Sequence, residues 1–198
     1  MICPNCGASD RDRLYALYIS THIDSMRNYR VLDIAPANAL RNFLKGFPNF
    51  IYRSADLIDK DVDDTGVDIT DMKIYADQSF DIFLCSHVLE HVPDDRKAMG
   101  ELNRILKKDG FGIAMVPIVL SITAIDEDPS LTDTAERWKR FGQDDHVRLY
   151  SKAGFVNRLE ESGFIVKSIT VDDYDWKVFS KYGISSKSVL YIVTKNND

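Results

Sequence analysis

Cysteine is scarce in this chain of 198 residues: three, an odd number, cannot build a disulfide framework. The thiols are therefore expected to be reduced or metal-bound, and the fold to rest on its core. Ten glycines and six prolines are too few for collagenous or low-complexity sequence. No apolar run reaches the roughly 18–20 residues of a membrane span, and Met1-Ile2-Cys3-Pro4-Asn5-Cys6 lacks the basic-then-apolar order of a secretion signal. A soluble, cytoplasmic protein without membrane contact is expected. Basic charge is also short, with 25 Lys and Arg against 31 Asp and Glu, a net charge of −6. Scattered cations without a basic stripe disfavour nucleic acid as a partner.

What is present is an alternation of strand and helix signals. Residues 10–27 place Leu14, Leu17, Tyr18, Ile23 and Met26 on one helical face, which predicts a docking helix. Val31–Ile34 and Phe50–Ala55 read as strands around a helix at 38–46, and a weaker strand is expected near 67–69. Phe80–Cys85 is a further strand. Asp94 caps the helix after it, Ala98, Met99, Leu102, Ile105 and Leu106 form its apolar stripe, Lys107 and Lys108 suit its negative end, and Gly110 stops it. Gly112–Val116 follows as a strand, Ser151 caps another helix, and 164–171 and 188–194 are β-branched runs. The order implies an α/β, doubly wound, mostly parallel sheet with helices on both faces and ligands beyond the strands' carboxyl ends. Residues 1–28 read as an N-terminal Cys-pair segment with its docking helix, and 29–198 as the main domain with a substrate or lid insertion at about 118–150.

Asp33 and Asp56 close the first two strands 23 residues apart, near the spacing at which an acidic residue meets a ribose. Between them stands Ala35-Pro36-Ala37-Asn38-Ala39, where a dinucleotide enzyme would place glycines. Pro36 has no N–H to offer a pyrophosphate. S-adenosylmethionine, which carries adenosine without phosphates and a positive sulfonium, suits an acidic site better.

Three stretches, VLDIAPANAL, the acidic end of IYRSAD, and DITDMKIYADQSFDIFLCSHVLEHVPDDRKAMGELNRILKKDG, resemble the class I S-adenosylmethionine-dependent methyltransferases of the type 11 kind. The resemblance spans roughly residues 29–171 and implies a Rossmann-like sheet of seven strands with the last antiparallel. It implies that Asp33 organises the methionine end beside Ala35, that Asp56 and Leu57 face the ribose, and that Asp68 and Ile69 receive the adenine. Ser86 and His87 would lie beside the methionine part. Glu90 and His91 are read as holding the loop after the fourth strand, and Cys85 as core packing.

The insertion gathers Arg140-Phe141-Gly142-Gln143-Asp144-Asp145-His146-Val147-Arg148-Leu149-Tyr150. Methyl transfer mainly needs position, worth roughly 7–11 kcal/mol, and a hydroxyl acceptor also needs its proton removed. His146 is the expected base, with Asp145 raising its basicity, Arg148 anchoring an anionic or carbohydrate acceptor, and Gln143 and Tyr150 hydrogen-bonding it. A salt-bridged loop is the alternative for the same residues. The string resembles a segment of bacterial methyltransferases tied to saccharide or cell-surface precursors. Cys3 and Cys6 form half of a zinc ribbon, whose remaining ligands would be histidines such as His22 or a second copy's Cys pair. The expected function is thus methyl transfer from S-adenosylmethionine to oxygen of a small molecule, by a monomer or homodimer. A non-catalytic binding or scaffold protein that has lost its glycine loop is the alternative.

Overall fold

The computed structural model describes residues 2–196. A capping box starts α1 (Asp10–His22): Ser9 Oγ accepts from the Asp12 N–H, and Asp12 accepts from the Ser9 N–H at 2.8 Å. The helix buries Leu14, Tyr15, Tyr18 and Ile19, one step round from the expected face. It ends four residues before Met26, which is 90% exposed. Its buried side chains belong to the same core as the sheet, so this helix is built into the main domain rather than appended to it.

β1 (Tyr29–Ile34) pairs in parallel with β2 (Phe50–Asp56), from Tyr29 opposite Phe50 to Ile34 opposite Ala55, and α2 (Asn38–Lys45) makes the crossover. The third strand is shorter and earlier than the sequence pattern suggests: β3 (Asp64–Thr65) lies against Ala55 and Asp56. The tract 67–69 instead follows it as loop, with Ile69 turned into the core.

β4 (Phe80–Ser86) is buried along nearly its whole length between two neighbours, which explains its continuous apolar run. Asp94 caps α3 (Asp95–Ile105) through the Lys97 N–H, as the sequence predicts. The helix stops earlier than expected, and β5 (Leu106–Met115) begins at once, so Lys107, Lys108 and Gly110 are strand residues. Two contacts explain this. Lys107 Nζ reaches the buried Asp81 carboxylate at 2.8 Å, and Gly110 approaches so closely that a Cβ there would lie 2.5 Å from the Asp81 carbonyl oxygen. Gly110 is therefore a close-approach residue rather than a helix stop.

The expected insertion contains β6 (Asp126–Glu127), α4 (Thr134–Phe141) and β7 (Arg148–Leu149), with β6 and β7 forming a small antiparallel pair. Ser151 caps α5 (Lys152–Glu161), accepting from the Gly154 N–H. β8 (Phe164–Ile169), α6 (Trp176–Tyr182) and β9 (Leu190–Lys195) complete the chain, with β9 antiparallel to both β5 and β8. The seven-stranded sheet has the order β3-β2-β1-β4-β5-β9-β8. Strand order reverses between β1 and β4, where a doubly wound sheet opens a crevice at its carboxyl edge.

Candidate functional site at the carboxyl edge of the sheet

A cavity of about 740 Å³ opens past β1, β2 and β4. The turns that wall it are built from carboxylates that bind their own loops with one oxygen. Asp56 Oδ1 accepts from the N–H groups of Ile58 and Asp59 at 2.7 and 2.8 Å, and Asp68 Oδ1 accepts from the N–H and hydroxyl of Thr70, both at 2.8 Å. In both residues Oδ2 is left for a ligand. Leu57 and Ile69 share the wall. Asp56, Asp68, Asp94 and Asp145 face the same space against Lys97 and Arg137, a balance that favours a cation.

Ala35 also lines this cavity, and its φ of 51° lies in the left-handed region. A glycine would take that conformation without strain, so alanine here performs a glycine's backbone task at a cost of about 1–2 kcal/mol. Its N–H is held by the Ala55 carbonyl at 2.9 Å, and α2 begins without a side-chain cap. Of the loop without glycines, Ala35 is the residue that lines the cavity.

Asp33 is placed differently from the expectation. It is 3% exposed, does not line the cavity, and accepts from the Tyr52 hydroxyl at 2.8 Å. Burial pushes its carboxyl up to about 7, opposed by that hydrogen bond and by Arg41. Ser86 is likewise engaged with the Tyr15 hydroxyl at 2.9 Å rather than facing the cavity.

A second cavity of about 460 Å³ lies beyond β5, walled by the 116–118 loop and by Arg11, Lys152 and Lys187 against one carboxylate, Asp10, which accepts from Ser188. His87 lines both cavities. It stands immediately after β4 with φ 58°, and its N–H donates to the Met115 carbonyl at 2.8 Å, joining the ends of two strands. Its Nδ1 is 3.1 Å from Glu90 Oε1. For a residue with a Cβ this backbone conformation is strained.

The insertion residues divide. Asp145 reaches the larger cavity, but its carboxylate meets His91 Nδ1 at 3.1 Å and not His146. His146 is 6% exposed, lines neither cavity, and packs edge-on against His91. Burial and the neighbouring His91 hold its imidazole below the ordinary histidine range. Asp145 still raises the basicity of His146 electrostatically, against the larger effects of burial and His91, and His146 packs behind His91 rather than on a cavity wall. Gln143 is exposed and outside both cavity walls.

Arg148 and Tyr150 are corrected as well. Arg148 is 1% exposed and donates to the carbonyls of Leu89, Val92 and Pro93 and to Glu127. Tyr150 is fully buried and donates to Asp95, which also meets Arg158 at 2.5 Å. Their donors support the loop after β4 and the Asp95 carboxylate, and neither side chain lines a cavity. Arg11, Lys152 and Lys187 went unnoticed because they come from three distant segments and no local pattern joins them.

The Cys3–Cys6 turn is closed by the Gly7 N–H to the Cys3 carbonyl at 2.9 Å, and backbone N–H groups around Cys3 lower its thiol pKa. Zinc at this pair is not supported, because no third metal-binding side chain joins the two cysteines among the described residues. His22 is taken up by Thr21 and Tyr18.

A methyltransferase-domain family model matches residues 44–114. The uncharacterised methyltransferase YcgJ of Bacillus subtilis is 35% identical over 74 residues, 37% of this chain and 27% of that protein, so the match spans about a quarter of the relative's length. The crystal structure of YcgJ superposes with a TM-score of 0.58 at 17% identity, covering 95% of this chain and 100% of that one. A SAM-dependent methyltransferase from Archaeoglobus fulgidus superposes with a TM-score of 0.56 at 15% identity, covering 93% and 94%. No helix among the described residues is long and apolar enough to cross a membrane.

Proposed function

We propose that this chain, which has the class I methyltransferase fold and carries a methyltransferase domain at residues 44–114, transfers a methyl group from S-adenosylmethionine to an oxygen of a small anionic molecule. The observation that carries the reading is His87, the residue common to a carboxylate-lined cavity and a cation-lined one. In this reading Asp56 would accept from ribose hydroxyls and Asp68 from the adenine amine, with Leu57 and Ile69 offering apolar faces; that all four line the larger cavity supports it. The acidic wall suits a cationic cofactor, and Ala35 lines the cavity where the methionine end would pass. The bound cofactor supplies an activated methyl carbon.

Arg11, Lys152 and Lys187 surround the second cavity and would hold the acceptor's negative group, the task expected of Arg148. His87, which reaches both cavities, is the group proposed to take the acceptor's proton as the carbon–oxygen bond forms and the cofactor's sulfur–carbon bond breaks. Arg148 acts at one remove, fixing the carbonyls of the loop that carries Glu90 and His91. The proposed enzyme works in the cytoplasm as a monomer or homodimer. The scaffold alternative is not favoured, because it requires a loop that closes the cofactor space, and Ala35 lines a cavity there.

Calorimetric titration with S-adenosylmethionine and S-adenosylhomocysteine tests the first half of the reading. Micromolar binding to wild type that is weakened about 10- to 150-fold in Asp56→Ala supports it; a folded wild-type protein that binds neither overturns it. His87→Gln tests the second half by retaining cofactor affinity while methyl transfer to a hydroxyl acceptor falls about 10²–10⁴-fold. Unchanged turnover removes His87 as the base.

A further inference from the structure

Behind His87 the wall of the larger cavity contains a cluster that methyl transfer does not itself require. Glu90 is 1% exposed, and neither of its carboxylate oxygens has a hydrogen-bond partner. His87 Nδ1 is near Oε1 at 3.1 Å but outside hydrogen-bonding geometry. His146, 6% exposed, also has an unpartnered buried nitrogen, Nδ1. Buried polar groups are nearly always satisfied, and a buried carboxylate beside an orphaned imidazole nitrogen is a rare conjunction in a native interior. One ligand atom each from Glu90, His91 and His146 lie within 4.8 Å of one another.

The groups behind these ligands point the same way. Asp145 Oδ2 is 3.1 Å from His91 Nδ1, which leaves Nε2 on the side of Glu90, 4.0 Å from Oε1. The Phe141 backbone faces the His146 ring, leaving Nδ1 as the open nitrogen. A carboxylate or carbonyl behind each imidazole, with the other nitrogen directed to a common point, is the arrangement by which proteins orient histidine ligands toward a metal.

We propose that Glu90, His91 and His146 bind a first-row divalent cation of the zinc class, with the remaining coordination position turned toward the larger cavity, whose wall the half-buried His91 helps to form. Two imidazoles and one carboxylate match zinc and its borderline neighbours rather than magnesium or calcium, which take oxygen ligands. Three protein ligands with one open position describe a reactive rather than a sealed site. Binding of the cation stands apart from methyl transfer. Its consequence rests on that reading: an ion on Glu90 fixes the carboxylate that faces His87.

The test uses the full-length protein, freed of metal with a chelator and titrated with cobalt(II) alone, then competed with zinc(II). One cobalt per chain is expected, with a visible d–d absorption and no sulfur-to-cobalt charge transfer. Glu90→Gln and His146→Gln should abolish the band, Asp145→Asn should weaken binding about 10–100-fold, and Cys3→Ser with Cys6→Ser should leave it intact. Absence of binding, a band insensitive to Glu90→Gln and His146→Gln, or a charge-transfer band that disappears with the cysteines each overturns the proposal. Where a variant fails to fold, X-ray absorption on zinc-loaded wild type decides: a nitrogen and oxygen shell at about 2.0–2.2 Å supports the site, and sulfur at about 2.3 Å overturns it. Cofactor titration on the same metal-free protein keeps failure of the metal site distinct from failure of the methyltransferase reading.

Discussion

The loops past β1 and β2 and the segment from 118 to 150 are both polar in sequence, and they use that polarity in opposite directions. Asp56 and Asp68 give one oxygen to their own backbone and hold the other toward open space. Arg148 and Tyr150 turn inward, where Arg148, Arg158, Asp95 and Glu127 form a buried ionic network beneath the loop after β4. Arg158 and Arg148 together hold the Glu127 carboxyl below its ordinary range. A short acidic turn has nowhere to bury its charge, whereas a long guanidinium can supply donors to carbonyls that no strand satisfies. The first kind of residue is proposed to serve a ligand; the second builds the loop that walls the cavity.

The sharpest way to break this contrast is Arg148→Ala. Removing one member of a buried network, and with it the guanidinium donors to the carbonyls of Leu89, Val92 and Pro93, should destabilise the fold by roughly 3–5 kcal/mol in urea unfolding. A loss below about 1 kcal/mol would return Arg148 to the solvent-facing class.

Asp33 sharpens the comparison from within the first region, because it is the strand-end carboxylate that went inside. Its carboxyl titrates at about 3.9 when unfolded and at about 7 when folded. Between those values the folded state holds the extra proton, so the contribution is full below about pH 4 and is lost as pH rises through 7. The loss amounts to roughly 4 kcal/mol at most, about three units at 1.36 kcal/mol each. Asp33→Asn should flatten that limb when melting temperature is followed from pH 4 to 8. Parallel curves for the two proteins would mean that Asp33 titrates as an exposed residue.

Asp56→Ala is the outward counterpart. Loss of a hydrogen-bonding carboxylate should weaken S-adenosylhomocysteine binding by roughly 1.5–3 kcal/mol in calorimetry, about 10- to 150-fold, with thermal stability little changed. Equal losses of affinity and stability would erase the distinction between the two regions. The smallest effect is expected from Ala35→Gly, which relieves the left-handed strain and should raise unfolding free energy by about 1 kcal/mol. Destabilisation by the same substitution would show that the alanine methyl contributes packing worth more than the strain.

Much of the sheet was legible because period and cap are local. Alternating elements gave the doubly wound architecture, Asp94 and Ser151 cap where expected, and β4 announced itself by a continuous apolar run. Boundaries decided by contact across the chain were not legible. Lys107 and Gly110 look like a helix end until the Asp81 carboxylate and carbonyl are brought beside them. At the candidate site, Asp56 and Asp68 could be placed by their spacing and the family resemblance. The direction of Asp145 toward His91, and of Arg148 toward Leu89, depends on how residues 118–150 fold back over the loop after β4. No periodicity encodes that return.

The smaller cavity is closed by segments that are far apart along the chain. Ser188 bonds to Asp10 across 178 residues, and Arg13 to the Gly183 carbonyl across 170. Such distant pairings form late in folding, after nearer strands have found each other. The chamber proposed for the acceptor should consequently mature after the cofactor cavity, most of which is formed by the first two crossovers. Because its closure hangs on a few surface bonds, it is also suited to open by local unfolding while the sheet stays intact. Acceptor entry would then be timed by the breathing of one seam, independently of cofactor exchange.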